Sequence, residues 1–296
     1  MTTIPVPALL ILCIACYTSS SFFAKCYSSA YKGNSASATP VYSSIFGLIV
    51  GTIVLTLGSG MRFSASLATW LYGLAAGIIL FLFNLGSINA SRTGSYALQS
   101  IFKCSGTVVV PTLFTVLFWG DRLLPHQFIG ILIMLAAFVV INSKGLGGAQ
   151  MSRRFLFWVV LLFVTNGVFG ILMDAQQRAL QQTERSEMII ITYYCAALIS
   201  IAYLFLTRKK EILNDFHMGK KALLFTLGAS FVTSLAVYTM MTLLGKMTPS
   251  IFFTLQNGLV LTLSVLLGAF VLREKPDRGT IIGVLLSLVS IILLTI

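Results

Sequence analysis

Ten apolar runs of about twenty residues, separated by short polar links, leave this chain very few folds to choose from. A helix of that length crosses the roughly 30 Å hydrocarbon layer of a bilayer at 1.5 Å per residue. Backbone polar groups in hydrocarbon must be paired within the structure, which leaves helices or closed barrels, and no run alternates as a barrel strand does. The runs are Pro5–Lys25, Thr39–Leu57, Ala68–Ile88, Tyr96–Trp119, Gln127–Ser143, Phe155–Asp174, Glu187–Thr207, Ala222–Leu244, Ser250–Leu272 and Thr280–Ile296. Only 9% of the 296 residues are charged and 57% are apolar. Soluble domains carry about 25% charged residues. The expected fold class is an all-α membrane protein of ten transmembrane helices.

Two acidic turns divide these runs. Asp121-Arg122 is followed by Gly130 nine residues after the acid, and Glu274-Lys275 by Gly283 at the same distance, 153 residues further on. Five runs lie between the two acids. An odd number of crossings points the second motif the opposite way through the bilayer, so the chain reads as two inverted five-helix repeats, 1–147 and 148–296. The polar, glycine-rich stretch Ser143–Ser152 joins them. The same shift sets Lys103 on Gln256 and Cys104 on Asn257. Inverted repeats are the architecture of alternating-access transport, because two similar halves of opposite orientation can exchange roles. A carboxylate beside a cation at such a corner reads first as a helix cap, and Gly130 and Gly283 as points of close helix approach.

The stretch WGDRLLPHQFIGILIMLAAFVVI, and more loosely LREKPDRGTIIGVLLSLVSII, resembles the fourth-to-fifth helix turn of the drug/metabolite transporter superfamily in its EamA-type ten-helix branch. This chain has Asp121 where the family pattern has Glu, and Leu272-Arg273 where a Gly would precede Glu274. The resemblance implies a central site ringed by helices one, three, four, six, eight and nine, with both termini cytoplasmic. Its small multidrug-resistance relatives carry a carboxylate on helix one that binds cations. Here helix one offers Tyr17, Thr18, Ser19, Ser20, Ser21 and Lys25 and no acid, which disfavours cationic-drug antiport by that route.

Charge placement argues otherwise on sidedness. Links after odd-numbered helices hold Lys25, Lys32, Arg92, Lys144, Arg153, Arg154, Arg208, Lys209, Lys210, Lys220, Lys221, Arg273, Lys275 and Arg278; the other side holds Arg62, Arg122, Arg178, Arg185 and Lys246. The positive-inside rule alone then puts both termini outside the cytoplasm. The cluster around Arg208–Lys221 reads as an anchor to anionic headgroups rather than a nucleic-acid site. With no Lys or Arg ahead of the first run and no small-residue cleavage site after it, a cleaved signal peptide is not expected.

Lys103 lies seven residues into helix four, about 10 Å from its start. A charge at that depth costs roughly 3 kcal/mol or more unless it faces protein or water. Three fates are open: lining a water-filled cavity, pairing with Asp174, or snorkelling to the interface. A cavity holding a cation and little fixed negative charge suits a carboxylate or phosphate-bearing solute. The candidate substrate-binding residues are Lys103, Gln99, Gln256, Asn257, Asn84, Tyr17, Asn166 and Tyr238, with Asn89 nearby. Any of them alone could be an interhelical hydrogen bond worth about 0.6 kcal/mol. Asp174, or Lys103 itself, is the candidate for proton coupling.

Other chemistry lacks its residues. His126 and His217 fall in separate links, and Cys13, Cys16, Cys26, Cys104 and Cys195 are odd in number and lie within or beside helices, so neither a metal cluster nor a disulfide framework is expected. There is no nucleotide-binding loop and no nucleophile triad, and no cofactor is expected. The reading is a secondary transporter of the bacterial inner (plasma) membrane, monomer or homodimer, moving a small polar metabolite, an amino acid or other carboxylate-bearing solute. A translocator of a lipid-linked or sugar-type substrate is the alternative, and an intramembrane enzyme or scaffold a remote one.

Overall fold

The computed structural model describes residues 5–118, 124–144, 152–180, 184–208, 212–244, 249–273 and 278–295. Among them are eleven helices: α1 Val6–Ala30, α2 Ala38–Ile53, α3 Leu67–Thr93, α4 Tyr96–Phe118, α5 Pro125–Lys144, α6 Arg153–Ala179, α7 Arg185–Arg208, α8 Ile212–Phe216, α9 Lys220–Leu244, α10 Pro249–Phe270 and α11 Arg278–Thr295. A π-helical turn, Val54–Gly58, extends α2. Six of these elements are long and apolar enough to cross a membrane, and Gln256–Phe270 and Ile281–Leu293 are shorter apolar helices.

Local chemistry sets the ends. Ser66 accepts from the Thr69 amide at 3.3 Å to start α3, and Ser152 accepts from the Phe155 amide at 3.1 Å to start α6. Proline opens α5 and α10, where its missing N–H has no intrahelical partner to lose. The α1 helix continues five residues past its expected end, so Lys25 lies inside the helix rather than in a link. Its ammonium donates to the Ser91 and Gly94 carbonyls and caps the C-terminus of α3. The basic link after α7 also departs from expectation, for it holds the short helix α8.

Small residues record how the helices pass one another. In α3, Gly73 meets Ile191 and Gly77 meets Cys195, so α3 and α7 run parallel; Gly106 meets Phe163 and Gly167 meets Val110, so α4 and α6 do too. Gly47 meets Tyr193 and Ala197 while Gly58 lies nearest Ser186 across the interface, so α2 and α7 are antiparallel. The pair α1 and α9 is antiparallel as well, with Cys13 donating to the Ala236 carbonyl at 3.6 Å and the Phe23 and Phe225 rings 6.3 Å apart. These directions belong to a chain that reverses at every link between long helices.

The starts of the long helices are related in two groups. Leu67 and Lys220, Tyr96 and Pro249, and Pro125 and Arg278 are each 153 residues apart, whereas Val6 and Arg153, and Ala38 and Arg185, are each 147 apart. The single shift read from the sequence thus holds for three helix pairs. The extra residues fall between α7 and α9, where α8 sits.

A buried aromatic series, Tyr27 to Tyr42 to Phe46 to Tyr193, has successive ring centroids 4.9, 5.2 and 5.8 Å apart and joins α1, α2 and α7. The outward surface is apolar: Leu224, Leu227, Phe231 and Tyr238 form an exposed stripe along α9 at helical spacing. A bundle with apolar residues outside and serines inside is built for lipid rather than water.

Candidate functional site

Helix α4 reaches the centre of the bundle through a tight link from α3. Gln99 fixes that link. Its Oε1 accepts from the Ser91 hydroxyl at 2.6 Å, and its Nε2 donates to the Ser87 hydroxyl at 2.9 Å and the Ser87 carbonyl at 3.1 Å. The side chain is buried and both ends of its amide are bonded to α3, so Gln99 acts as a strut between α3 and α4.

One turn further along, Lys103 stands where four helices meet. Its Nζ donates to the Ser21 hydroxyl of α1 at 2.6 Å and lies 5.7 Å from the centroid of the Phe83 ring of α3. Its carbonyl accepts from Asn166 Nδ2 of α6 at 2.7 Å. Ser21 passes its own proton to the Tyr17 carbonyl at 3.2 Å. No carboxylate among the described residues bonds Lys103. Of the three N–H groups on the ammonium, Ser21 takes one. An ion in a low-dielectric bundle held by one hydroxyl and an aromatic face is under-compensated, and its other two donors have no partner among the described residues.

The next turn joins α4 to α10. The Thr107 hydroxyl lies 2.7 Å from the Cys104 carbonyl and 3.1 Å from Asn257 Oδ1, sharing one proton between them. Four residues beyond, Pro111 has no N–H to give the Thr107 carbonyl, which frees that backbone acceptor. Beside Asn257, the buried Gln256 Oε1 has no hydrogen-bond partner among the described residues. The structure therefore brings Asn166 and Asn257 to α4 within a turn of Lys103, and Gln256 precedes Asn257 in α10.

Other expected residues sit elsewhere. Tyr17 donates to Met240 Sδ at 3.2 Å and ties α1 to α9. Asn84 donates to Ser43 Oγ at 3.1 Å, and Asn89 to Thr39 Oγ1 at 3.4 Å; both serve the α2–α3 contact. Tyr238 is 52% exposed on the outward stripe of α9. The Asp174 side chain lies outside the described residues, as do Asp121, Arg122, Glu274 and Lys275. Gly130 and Gly283 are buried in α5 and α11, which pack together, and the Ser290 hydroxyl of α11 donates to the Gly130 carbonyl at 2.6 Å. Ser21, Phe83 and Thr107 join the site on structural grounds. Among the described residues no group of His, Cys, Asp and Glu could hold a metal ion.

Residues 156–296 match the EamA-like transporter family. That half of the chain is an EamA-like transporter domain. The chain as a whole shares its fold with a protein of known crystal structure, at 14% identity and a TM-score of 0.66 over 97% of this chain and 95% of the other. No curated protein matches the chain. The EamA-like domain supplies Asn166, Gln256 and Asn257 to the site, while Lys103, Ser21 and Phe83 come from the residues before it. The protein is a multi-pass membrane protein that carries an EamA-like transporter domain.

Proposed function

We propose that the chain is a secondary transporter that moves a small polar metabolite bearing a carboxylate, an amino acid or a related acid, across the bacterial plasma membrane by alternating access. Ten crossings form two inverted five-helix units, 1–147 and 148–296. Packing supports that reading, because α1 pairs with α9 as α6 pairs with α3, and α2 packs antiparallel on α7, its own counterpart. Exchange of partners between equivalent helices is what a two-fold axis in the membrane plane requires.

The observation that carries the substrate class is Lys103. Its ammonium lies between Ser21 of α1 and Phe83 of α3, with no carboxylate bonded to it among the described residues. An anionic group of the solute completes that arrangement; a cationic solute is repelled by it. Asn257, tied to α4 through Thr107, and Gln256, whose buried Oε1 has no partner among the described residues, would serve as amide partners for the remaining polar groups of the solute. A thermal-shift screen of purified protein against amino acids, organic acids, sugar phosphates and quaternary amines tests the assignment. Stabilisation by carboxylates that is lost in Lys103→Ala supports it, and stabilisation by quaternary amines alone contradicts it.

A further inference from the structure

Ser37 and Glu184 stand immediately before α2 and α7, 147 residues apart, and each takes part in a polar junction between the two halves of the chain, Glu184 directly and Ser37 through Tyr31. The Glu184 carboxylate reaches across to the start of α3. One oxygen, Oε2, accepts from the Ser66 amide at 2.9 Å, the Ser66 hydroxyl at 2.9 Å and the Thr69 hydroxyl at 2.6 Å. From α6, Gln176 Nε2 donates to the same Thr69 hydroxyl at 3.2 Å. Glu184 itself adopts a φ of 56°, a left-handed conformation costly for glutamate and kept here by what its side chain holds.

The other junction has the same plan with different chemistry. The Tyr31 hydroxyl at the end of α1 lies 2.8 Å from the Ser37 hydroxyl and donates to the Asp215 carbonyl of α8 at 3.1 Å, and Asp215 accepts from Arg208 Nε at 2.6 Å. Because α2 and α7 run antiparallel, their starts lie at opposite ends of the bundle. Each junction links a corner between the first two helices of one half to the approach to the third helix of the other. One stands on the face rich in basic links, and the Glu184 junction on the face poor in them.

We propose that the two junctions are alternating latches, one closing each membrane face, and that the halves cannot part at a face until its latch releases. This rests on the alternating-access reading above. Any rocking of residues 1–147 against 148–296 at the Glu184 face must break the bonds to Ser66 and Thr69, and at the opposite face the bond from Tyr31 to Asp215. Three charge-assisted bonds converge on one oxygen of Glu184, so a single substitution weakens that latch. Ionisation fits the role: the Thr69 hydroxyl, then the Ser66 amide, hold the acid below the ordinary glutamate value. The charged residues on the elements that meet here are Arg62 before α3, Arg178 in the last turn of α6, and Arg185 and Glu187 at the start of α7.

Hydrogen–deuterium exchange of the full-length protein in lipid nanodiscs, without solute, separates a latch from a simple helix cap. Glu184→Gln is expected to raise exchange in residues 64–70 and 184–190 by about tenfold and to lower it at 31–40 and 212–220, because opening one face closes the other. Tyr31→Phe is expected to do the reverse. Thr69→Val, which removes one hydroxyl and leaves the carboxylate, is expected to give the same opposed pattern more weakly, and it carries the test should the glutamine variant raise exchange throughout the bundle. A rise confined to the mutated junction, with the opposite junction unchanged in all three variants, overturns the proposal. Since exchange reads the balance of faces whatever the solute, this outcome is independent of the Lys103 screen.

Discussion

The ammonium of Lys103 lies 2.6 Å from the hydroxyl of Ser21, and this is a charge answered by a neutral group. A residue kept for stability in this environment would be an apolar one of similar size. Lys103→Met is therefore expected to leave the melting temperature of the solute-free protein unchanged or raise it, by the equivalent of about 1 kcal/mol, while abolishing stabilisation by carboxylate solutes. Melting curves of both proteins with and without solute check this.

Gln99 has the opposite character. Removing its side chain leaves the buried hydroxyl of Ser91 without its acceptor and that of Ser87 without its donor. Gln99→Leu is expected to lower stability by about 1–3 kcal/mol and to leave the ranking of solutes unchanged, read from chemical unfolding and from the thermal-shift screen.

The α4–α6 contact depends on Gly106. A Cβ there would fall on the Phe163 backbone carbonyl, which cannot turn aside, whereas at Gly170 the nearest atom is Pro111 Cγ at 3.8 Å. Gly106→Ala is expected to cost about 1–3 kcal/mol. Gly170→Ala, in the same helix pair, should be neutral or stabilising by up to about 1 kcal/mol. Thermal unfolding of the two variants side by side gives the comparison.

Glu184 makes stability depend on acid. Its acidity is raised in the folded protein, with the Thr69 hydroxyl the leading cause, so its contribution is present above the ordinary glutamate value of 4.5 and is lost as pH falls through the lowered value. The melting temperature of the wild type is expected to drop over that acid window, and Glu184→Gln to be less stable at neutral pH and to show a smaller drop.

Much of this fold is written in the run lengths, because hydrocarbon permits so few ways to pair a backbone. The corner glycines Gly130 and Gly283 lie in α5 and α11, which pack together, with the Ser290 hydroxyl on the Gly130 carbonyl. The single shift of 153 residues is less faithful, since the acidic turns that reveal it fall in the sequence between the last two helices of each half and carry no information about residues inserted between α7 and α9. Lys103 stood out because charge at depth is rare. Its neighbours did not, for Ser21 is one of three consecutive serines and Phe83 one of 22 phenylalanines. Tyr238 shows why aromatic residues with a polar tip mislead: the face of α9 it occupies is decided by Leu224, Leu227 and Phe231, at spacings that are visible only once the register of the helix is known. Gln99 and Gln256 look alike in sequence, yet one is bonded at both ends of its amide by Ser87 and Ser91 and the other has a buried oxygen with no partner among the described residues.

Solute counterflow in proteoliposomes tests the central claim most directly. Vesicles preloaded with a carboxylate solute that stabilises the protein should accumulate the same labelled solute from outside, and vesicles carrying Lys103→Met should not. Accumulation by the Lys103→Met protein at the wild-type rate would contradict the account.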